Sequence, residues 1–409
     1  MNLISAVVSS VLIIHGSCEQ NLTFPSWFMF GAATAAYQVE GGWNASDKGE
    51  SVWDRLMHTR PDVVMDGSNG DEACDSYHLW RRDIEMCEEL GLNMYRFSIS
   101  WPRLLPSGFP NHISEDGKNY YNNLIDGLLE KGIEPLVTMY HWDLPQSLQD
   151  LGGWANPLIV TWFTDYARVL YTLFADRVKY WLTLNEPLVI CDAGYGRMAA
   201  PYLDDSKIGL YLCNKHVLMA HAKAYRIYDE EFRHLYPGTY DFYGLNHYTT
   251  KLVRKVDPEK AGSWPYYGSK EIGVAMVNHP EWKTAATDWF AIYPEGLYKQ
   301  LHWIKNTYGV NNILITENGL PSVSPDLYDL KRLDYMRDNL EQVHHAMNDG
   351  VHVMGYTAWS MMDNFEWVAG YIPKYGLYAV NFTDASRTRS ARESAQFYAS
   401  VTRTRTILQ

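Results

Sequence analysis

The sequence has little that would suit a polyanionic partner. Its 48 acidic side chains outnumber 35 basic ones, giving a formal net charge of −13, and no basic block occurs. That balance argues against nucleic acid and anionic membrane as partners and is compatible with a neutral ligand. No GxGxxG opens a helix, which removes the main sign of dinucleotide binding. The 14 histidines form no HExxH and no Cys-Cys-His spacing, and the pair His344-His345 reads as the surface of a helix, so neither a metal nor a cofactor is expected. No GxSxG follows a strand, which disfavours a serine hydrolase. Linkers and low-complexity tracts are missing as well, so residues 19–409 read as one domain.

Long apolar runs are confined to residues 1–18, MNLISAVVSSVLIIHGSC, a stretch too short to span a bilayer comfortably. It ends in small residues and reads as a secretory signal, although no Lys or Arg precedes it. The expected location is therefore secreted, with no membrane anchor. Cysteine is scarce, and Cys18 sits at the expected cleavage site. Cys191 and Cys213 flank a loop rich in Gly, Pro and Asp and are either a disulfide or two buried thiols; Cys74 and Cys87 complete the set. In a secreted chain Asn21, Asn44 and Asn381, each in an Asn-X-Ser/Thr sequon, are candidate glycosylation sites.

What is present is a substantial core. Hydrophobic residues make up 46% and charged ones 20%, the balance of a globular protein. Aromatics reach 14%, which suits either a large aromatic core or rings that stack on sugar faces. Short apolar stretches predict strands at Phe28–Ala33, Met94–Ser98, Pro135–Tyr140, Tyr180–Leu184, Phe242–Asn246, Asn312–Thr316 and Val353–Ser360. Helix-like stretches lie between them, among them Asp75–Leu90, Tyr120–Lys131 and Asn214–Phe232. Strands alternating with helices imply a parallel sheet in an α/β fold, and this many units favour a TIM-type (β/α)8 barrel. Such a barrel closes with eight strands, and seven are recognisable. Between Glu186 and Phe242 there is room for one helix, and a strand-helix unit is expected to be absent there.

Two acids dominate the strand ends: Glu186 in WLTLNEP and Glu317 in ILITENG. Each follows a stretch that reads as a buried strand, which places both at the carboxyl ends of parallel strands. Two carboxylates so displayed are the equipment for acid/base and nucleophilic work on an acetal. Other strand ends carry Gln38, Arg96, His141 with Trp142, Tyr248, and Trp359 with Glu366 and Trp367. A buried Arg beside a carboxylate keeps it ionised, as a nucleophile requires.

At these residues the chain resembles glycoside hydrolase family 1, the β-glucosidase family. The matching pieces are FMFGAATAAYQVEGGW, YRFSISWPRLLP, YHWDLPQSL, LTLNEP, YGLNHYTT, LITENG and WSMMDNFEW, from about Phe24 to Phe397. The resemblance implies a (β/α)8 barrel and retention of configuration. It assigns Glu186 as acid/base and Glu317 as nucleophile. Asn185 is implied to hold the sugar 2-hydroxyl, and Gln38, His141, Glu366 and Trp367 the other hydroxyls, over a stacking floor at Trp359. Arg96 and Tyr248 are implied to orient the nucleophile. A retaining pair stands about 5–5.5 Å apart. The expected substrate is a small β-glucoside or related O-glycoside. Two alternatives stand beside it: a shortened, non-catalytic product that at most binds carbohydrate, and a thioglucosidase that keeps both acids. An open sheet edge is expected to favour association.

Overall fold

The computed structural model describes residues 22–236, 238–239, 241–262 and 268–407. The expected signal stretch, Cys18 and the Asn21 sequon lie outside the described residues. Seven parallel strands form the central sheet: β1 (Met29–Ala33), β2 (Met94–Ser98), β3 (Glu134–Tyr140), β4 (Tyr180–Leu184), β5 (Tyr243–Asn246), β6 (Ile313–Asn318) and β7 (Val353–Trp359). Their lateral order is β4-β3-β2-β1-β7-β6-β5. Parallel neighbours require crossovers, and helices supply them. The principal ones are α1 (Ser76–Glu89), α2 (Glu115–Glu130), α3 (Ile159–Phe174), α4 (Pro187–Tyr195), α5 (Gly209–Ile227), α6 (Glu295–Tyr308) and α7 (Leu330–Asn348), with α8 (Glu393–Thr404) after β7.

Local chemistry explains the shifted boundaries. Helix α2 begins before Tyr120 because the Ser114 hydroxyl accepts from the Gly117 amide and Glu115 and Asp116 fill the first turn. The stretch expected as one helix from Asn214 to Phe232 instead runs Gly209–Ile227 and ends in a wider turn, Tyr228–Phe232. The β4–β5 crossover holds two helices, α4 and α5, where one was expected, and the Cys191–Cys213 disulfide staples them. Cys74 and Cys87 are free and buried.

The sheet curls because alternate side chains point inward and share one interior. Met29, Met94, Leu136, Tyr180, Leu182, Phe242, Leu314 and Met354 form a single apolar cluster to which six of the strands and Phe242, the residue just before β5, contribute. This cluster also reaches across the break. Tyr180 and Phe242 lie 6.2 Å apart between ring centroids. A Cβ placed on Gly244 would come within 2.9 Å of the Leu182 methyl. Strands β4 and β5 are thus packed side by side while no backbone ladder joins them among the described residues.

This seam corrects one expectation. Strand β4 was expected to be buried, yet all five of its residues are partly exposed, and Tyr243 on β5 is 45% exposed. An edge strand lacks a neighbour and the helix that would follow it, so its outer face stays uncovered. Helix α5 leans on β4 through His221 and Thr183, and its own outer face leaves Leu218 62% exposed.

Candidate active site

The polar residues gather at the carboxyl end of the barrel, one layer above the apolar interior. Strand alternation puts Arg96 two residues above Met94 and Thr138 two above Leu136, both inward. Arg96 is buried, and all three of its guanidinium nitrogens donate hydrogen bonds. It donates to the Thr138 hydroxyl (3.1 Å), the Thr316 carbonyl (3.0 Å), Glu317 Oε1 (2.5 Å) and Asn185 Oδ1 (2.8 Å). The planar fork meets several acceptors in fixed directions, which a flexible lysine could not do.

Glu317 lies inside β6 rather than just after it, since the strand continues to Asn318 where Thr316 was expected to end it. Register shifts interrupt its pairing with both β5 and β7 between Ile315 and Asn318. Such bulges re-aim a side chain that strict alternation would send outward. The Glu317 carboxyl is buried and receives Arg96 on one oxygen and the Tyr248 hydroxyl on the other, at 2.5 Å. Burial, with Glu317 and Glu186 beside it, pushes the Tyr248 phenol well above its ordinary pKa, so it donates as a neutral group.

Glu186 follows β4 with a left-handed backbone (φ 45°), a strained setting for a glutamate that costs roughly 1–3 kcal/mol. Pro187 then opens α4. Burial and the charge of Glu317 raise the Glu186 carboxyl to about 7, against opposing effects from Asn246 and Arg96. Glu186 thereby keeps a proton into the neutral range, as a group that must donate one requires. A third, Glu366, is raised to about 8 by burial and then by Glu317.

The remaining groups line the space between these acids. Burial and then Arg96 lower His141 well below the usual histidine range, so its ring is neutral. One ring nitrogen, Nε2, faces the Asn185 amide at 3.0 Å, while buried Nδ1 has no protein partner. Gln38 donates to Asn364 Oδ1, the Phe365 carbonyl and Glu366, which leaves its buried Oε1 as an unpaired acceptor. Unpaired buried donors and acceptors at a cleft suit a polyhydroxylated ligand. His141 is nearly parallel to Trp359 at 5.8 Å and to Trp367 at 6.0 Å, and Trp142 packs on Trp367 at 4.6 Å.

All eleven residues expected at the cleft from the strand-end motifs and the resemblance thus converge there. Asn246, Thr316 and Asn364 had not been singled out. Asn246 donates to Glu186 Oε1 at 2.9 Å and to Asn185 Oδ1 at 3.1 Å, and it accepts from the Thr316 hydroxyl at 2.8 Å. Its only signal in the sequence is a polar residue closing the apolar start of YGLNHY. Among the described residues no cluster of His, Cys, Asp and Glu is arranged to hold a metal ion.

The family model described as "Glycosyl hydrolase family 1" matches residues 20–235 and 226–407, together nearly the whole chain. The chain belongs to glycosyl hydrolase family 1. The match is in two parts that overlap over residues 226–235, on the approach to the seam. Among relatives, "Myrosinase 1" of Brevicoryne brassicae is 40% identical over 463 aligned positions, covering 93% of this chain and 98% of that protein. "Cytosolic beta-glucosidase" of Homo sapiens is 35% identical, covering 93% and 98%. An alignment longer than the 409-residue chain means that relatives carry segments without a counterpart here. The solved structure "Aphid myrosinase" superposes with a TM-score of 0.87 at 38% identity, over 94% of this chain and 99% of the other. "Family 1 b-glucosidase from Thermotoga maritima" gives 0.85 at 34% identity, over 95% and 100%. This family 1 chain is a glycoside hydrolase built on the TIM-type barrel, with seven of its strands described.

Proposed function

We propose that the protein is a retaining β-glycosidase that hydrolyses small β-glucosides through a glycosyl-enzyme intermediate. The observation that carries this reading is the split environment of the two acids. Glu317 is held by a guanidinium and a phenol, while Glu186 is raised to about 7 beside it. In the first step a Glu317 oxygen attacks the anomeric carbon as the bond to the leaving oxygen breaks, and that oxygen takes the Glu186 proton. In the second, the Glu186 carboxylate removes a proton from water. The water oxygen attacks the anomeric carbon, and the ester bond to Glu317 breaks. Two inversions give net retention, and both acids return to their starting states.

In this reading Asn185, Gln38, His141, Glu366 and Trp367 bind the sugar hydroxyls, with Trp359 as floor, and Arg96 and Tyr248 orient the nucleophile. The unpaired Gln38 Oε1 and His141 Nδ1 support such binding. Secretion and glycosylation belong to the same proposal. The disulfide suits an oxidising compartment, and Asn44 and Asn381 are exposed for modification.

The test is turnover of an aryl β-glucoside by the purified chain beside Glu317→Gln, which is expected to lose activity on the order of 10⁴-fold or more. Folded but inert wild-type protein would overturn the reading in favour of a non-catalytic product. An S-aryl glucoside in the same assay separates O- from S-glycoside cleavage.

A further inference from the structure

We infer that Asn246 is a positioning residue that holds the acid/base Glu186 across the open seam, doing with its side chain what a neighbouring strand would otherwise do. This inference rests on the proposed roles of Glu186 and Glu317. Glu186 follows β4, whose far edge makes no backbone ladder with β5 among the described residues. Asn246 ends β5, the opposite edge of the same sheet. With the rest of the barrel curled round, the two edges meet, and Asn246 spans them.

Its amide has one orientation that satisfies its neighbours. The Thr316 hydroxyl, buried on β6, donates to Asn246 Oδ1 at 2.8 Å. That turns both N–H groups toward β4, where one reaches Asn185 Oδ1 at 3.1 Å and the other Glu186 Oε1 at 2.9 Å. Asn185 Oδ1 also accepts from Arg96, which grips Glu317. A continuous chain therefore runs from Glu317 through Arg96, Asn185 and Asn246 to Glu186. On the β3 side the Asn185 amide is held by the Tyr140 carbonyl (2.9 Å), and the Trp142 ring donates to the Asn185 carbonyl (3.0 Å). On the seam side the contact made by Asn246 is from a side chain, so one substitution can remove it.

An acid held in place matters most when the leaving group needs a proton. A phenyl β-glucoside needs one, whereas a dinitrophenyl β-glucoside departs with little help, so comparing them reads the acid alone. The variants are Asn246→Ala and, as a milder change that keeps the amide but frees its orientation, Thr316→Val. For Asn246→Ala we expect kcat/KM on the phenyl glucoside to fall about tenfold more than on the dinitrophenyl glucoside, with Thr316→Val showing the same bias more weakly. The charged and titratable groups facing Glu186 are Glu317, Glu366, Arg96 and Tyr248, and all remain in both variants. Loss of a hydrogen bond to the charged carboxylate should then move the alkaline limb of the pH profile upward. Equal losses on both substrates with an unmoved limb would overturn the inference. If Asn246→Ala does not fold, Thr316→Val decides on the same criteria. If the wild-type chain turns over neither substrate, the functional reading fails separately. Hydrogen exchange then decides the positioning role: faster exchange at residues 180–186 in the folded variant supports it, and unchanged exchange overturns it.

Discussion

Asn246 and Glu186 stand on opposite edges of one seven-stranded sheet, and the amide of the first donates to the carboxyl of the second at 2.9 Å. The contact spans the one place where, among the described residues, neighbouring barrel strands share no backbone ladder. Deleting a strand-helix unit from a closed barrel ordinarily opens the site. Here the interior cluster draws the two edges together, and polar side chains complete the upper layer.

The pH dependence of turnover should follow Glu186. Its carboxyl is raised to about 7, and the glycosylation step needs the protonated form, so kcat/KM should fall as pH rises through about 7. Glu186→Ala should lose that limb together with about 10²–10⁴-fold in rate on an unactivated substrate. With a dinitrophenyl glucoside and added azide, β-glucosyl azide should accumulate, because azide attacks the intermediate without a general base. Recovery of the wild-type limb in this variant would exclude Glu186 as its source.

Stability should also depend on pH with a definite sign. Glu186 and Glu366 are raised to about 7 and about 8 by burial, from ordinary values near 4.5. The folded state therefore holds their protons more tightly than the unfolded chain. The stability they lend is complete below about pH 4 and is lost as pH rises toward 8. Melting temperature should decline over pH 5 to 8, and Glu366→Gln should flatten that decline while weakening substrate binding. Identical slopes for the two proteins would contradict the assignment.

Gly244 tests the closeness of the seam. A Cβ there would meet the Leu182 methyl at 2.9 Å, so a larger side chain must push β4 from β5. Gly244→Val should cost about 1–3 kcal/mol by denaturant unfolding and lower activity more than stability alone accounts for. A variant as stable and as active as wild type would mean that the edges can separate freely.

The Cys191–Cys213 bridge closes a loop with a sequence separation of 22 between α4 and α5. Constraining such a loop in the unfolded chain is worth about 3 kcal/mol. Reduction, or the double change Cys191→Ser with Cys213→Ser, should lower the unfolding midpoint accordingly. Because α4 begins at Pro187, directly after Glu186, the same change should reduce kcat on phenyl glucosides. Thermal scans with and without dithiothreitol, paired with activity, read both effects.

The strand ends were legible because each acid or hydrogen-bonding residue follows a short apolar run, and burial of such a run leaves only its polar end at the cleft. Glu317 was legible as a site residue but not as part of its strand. The bulge that aims it is a property of its pairing with β5 and β7, not of the six residues themselves. Asn246 went unnoticed because an asparagine at a strand end is ordinary, and its importance depends on β4 lying beside it. Strand β4 looked buried from its composition, while its exposure follows from the neighbour it lacks.

The sequence by itself determined the alternation of strands and helices, the parallel sheet, the two acids and the seven recognisable barrel strands. These are encoded locally, in apolar periodicity and in the residues that end each run. Tertiary structure alone decided whether the shortened sheet could still enclose a site. That depended on contacts between residues far apart in the chain: Tyr180 with Phe242, Leu182 with Gly244, and Glu186 with Asn246. A break in the backbone ladder can be read from a missing strand, but its closure by side chains is visible only once the two edges have been brought together.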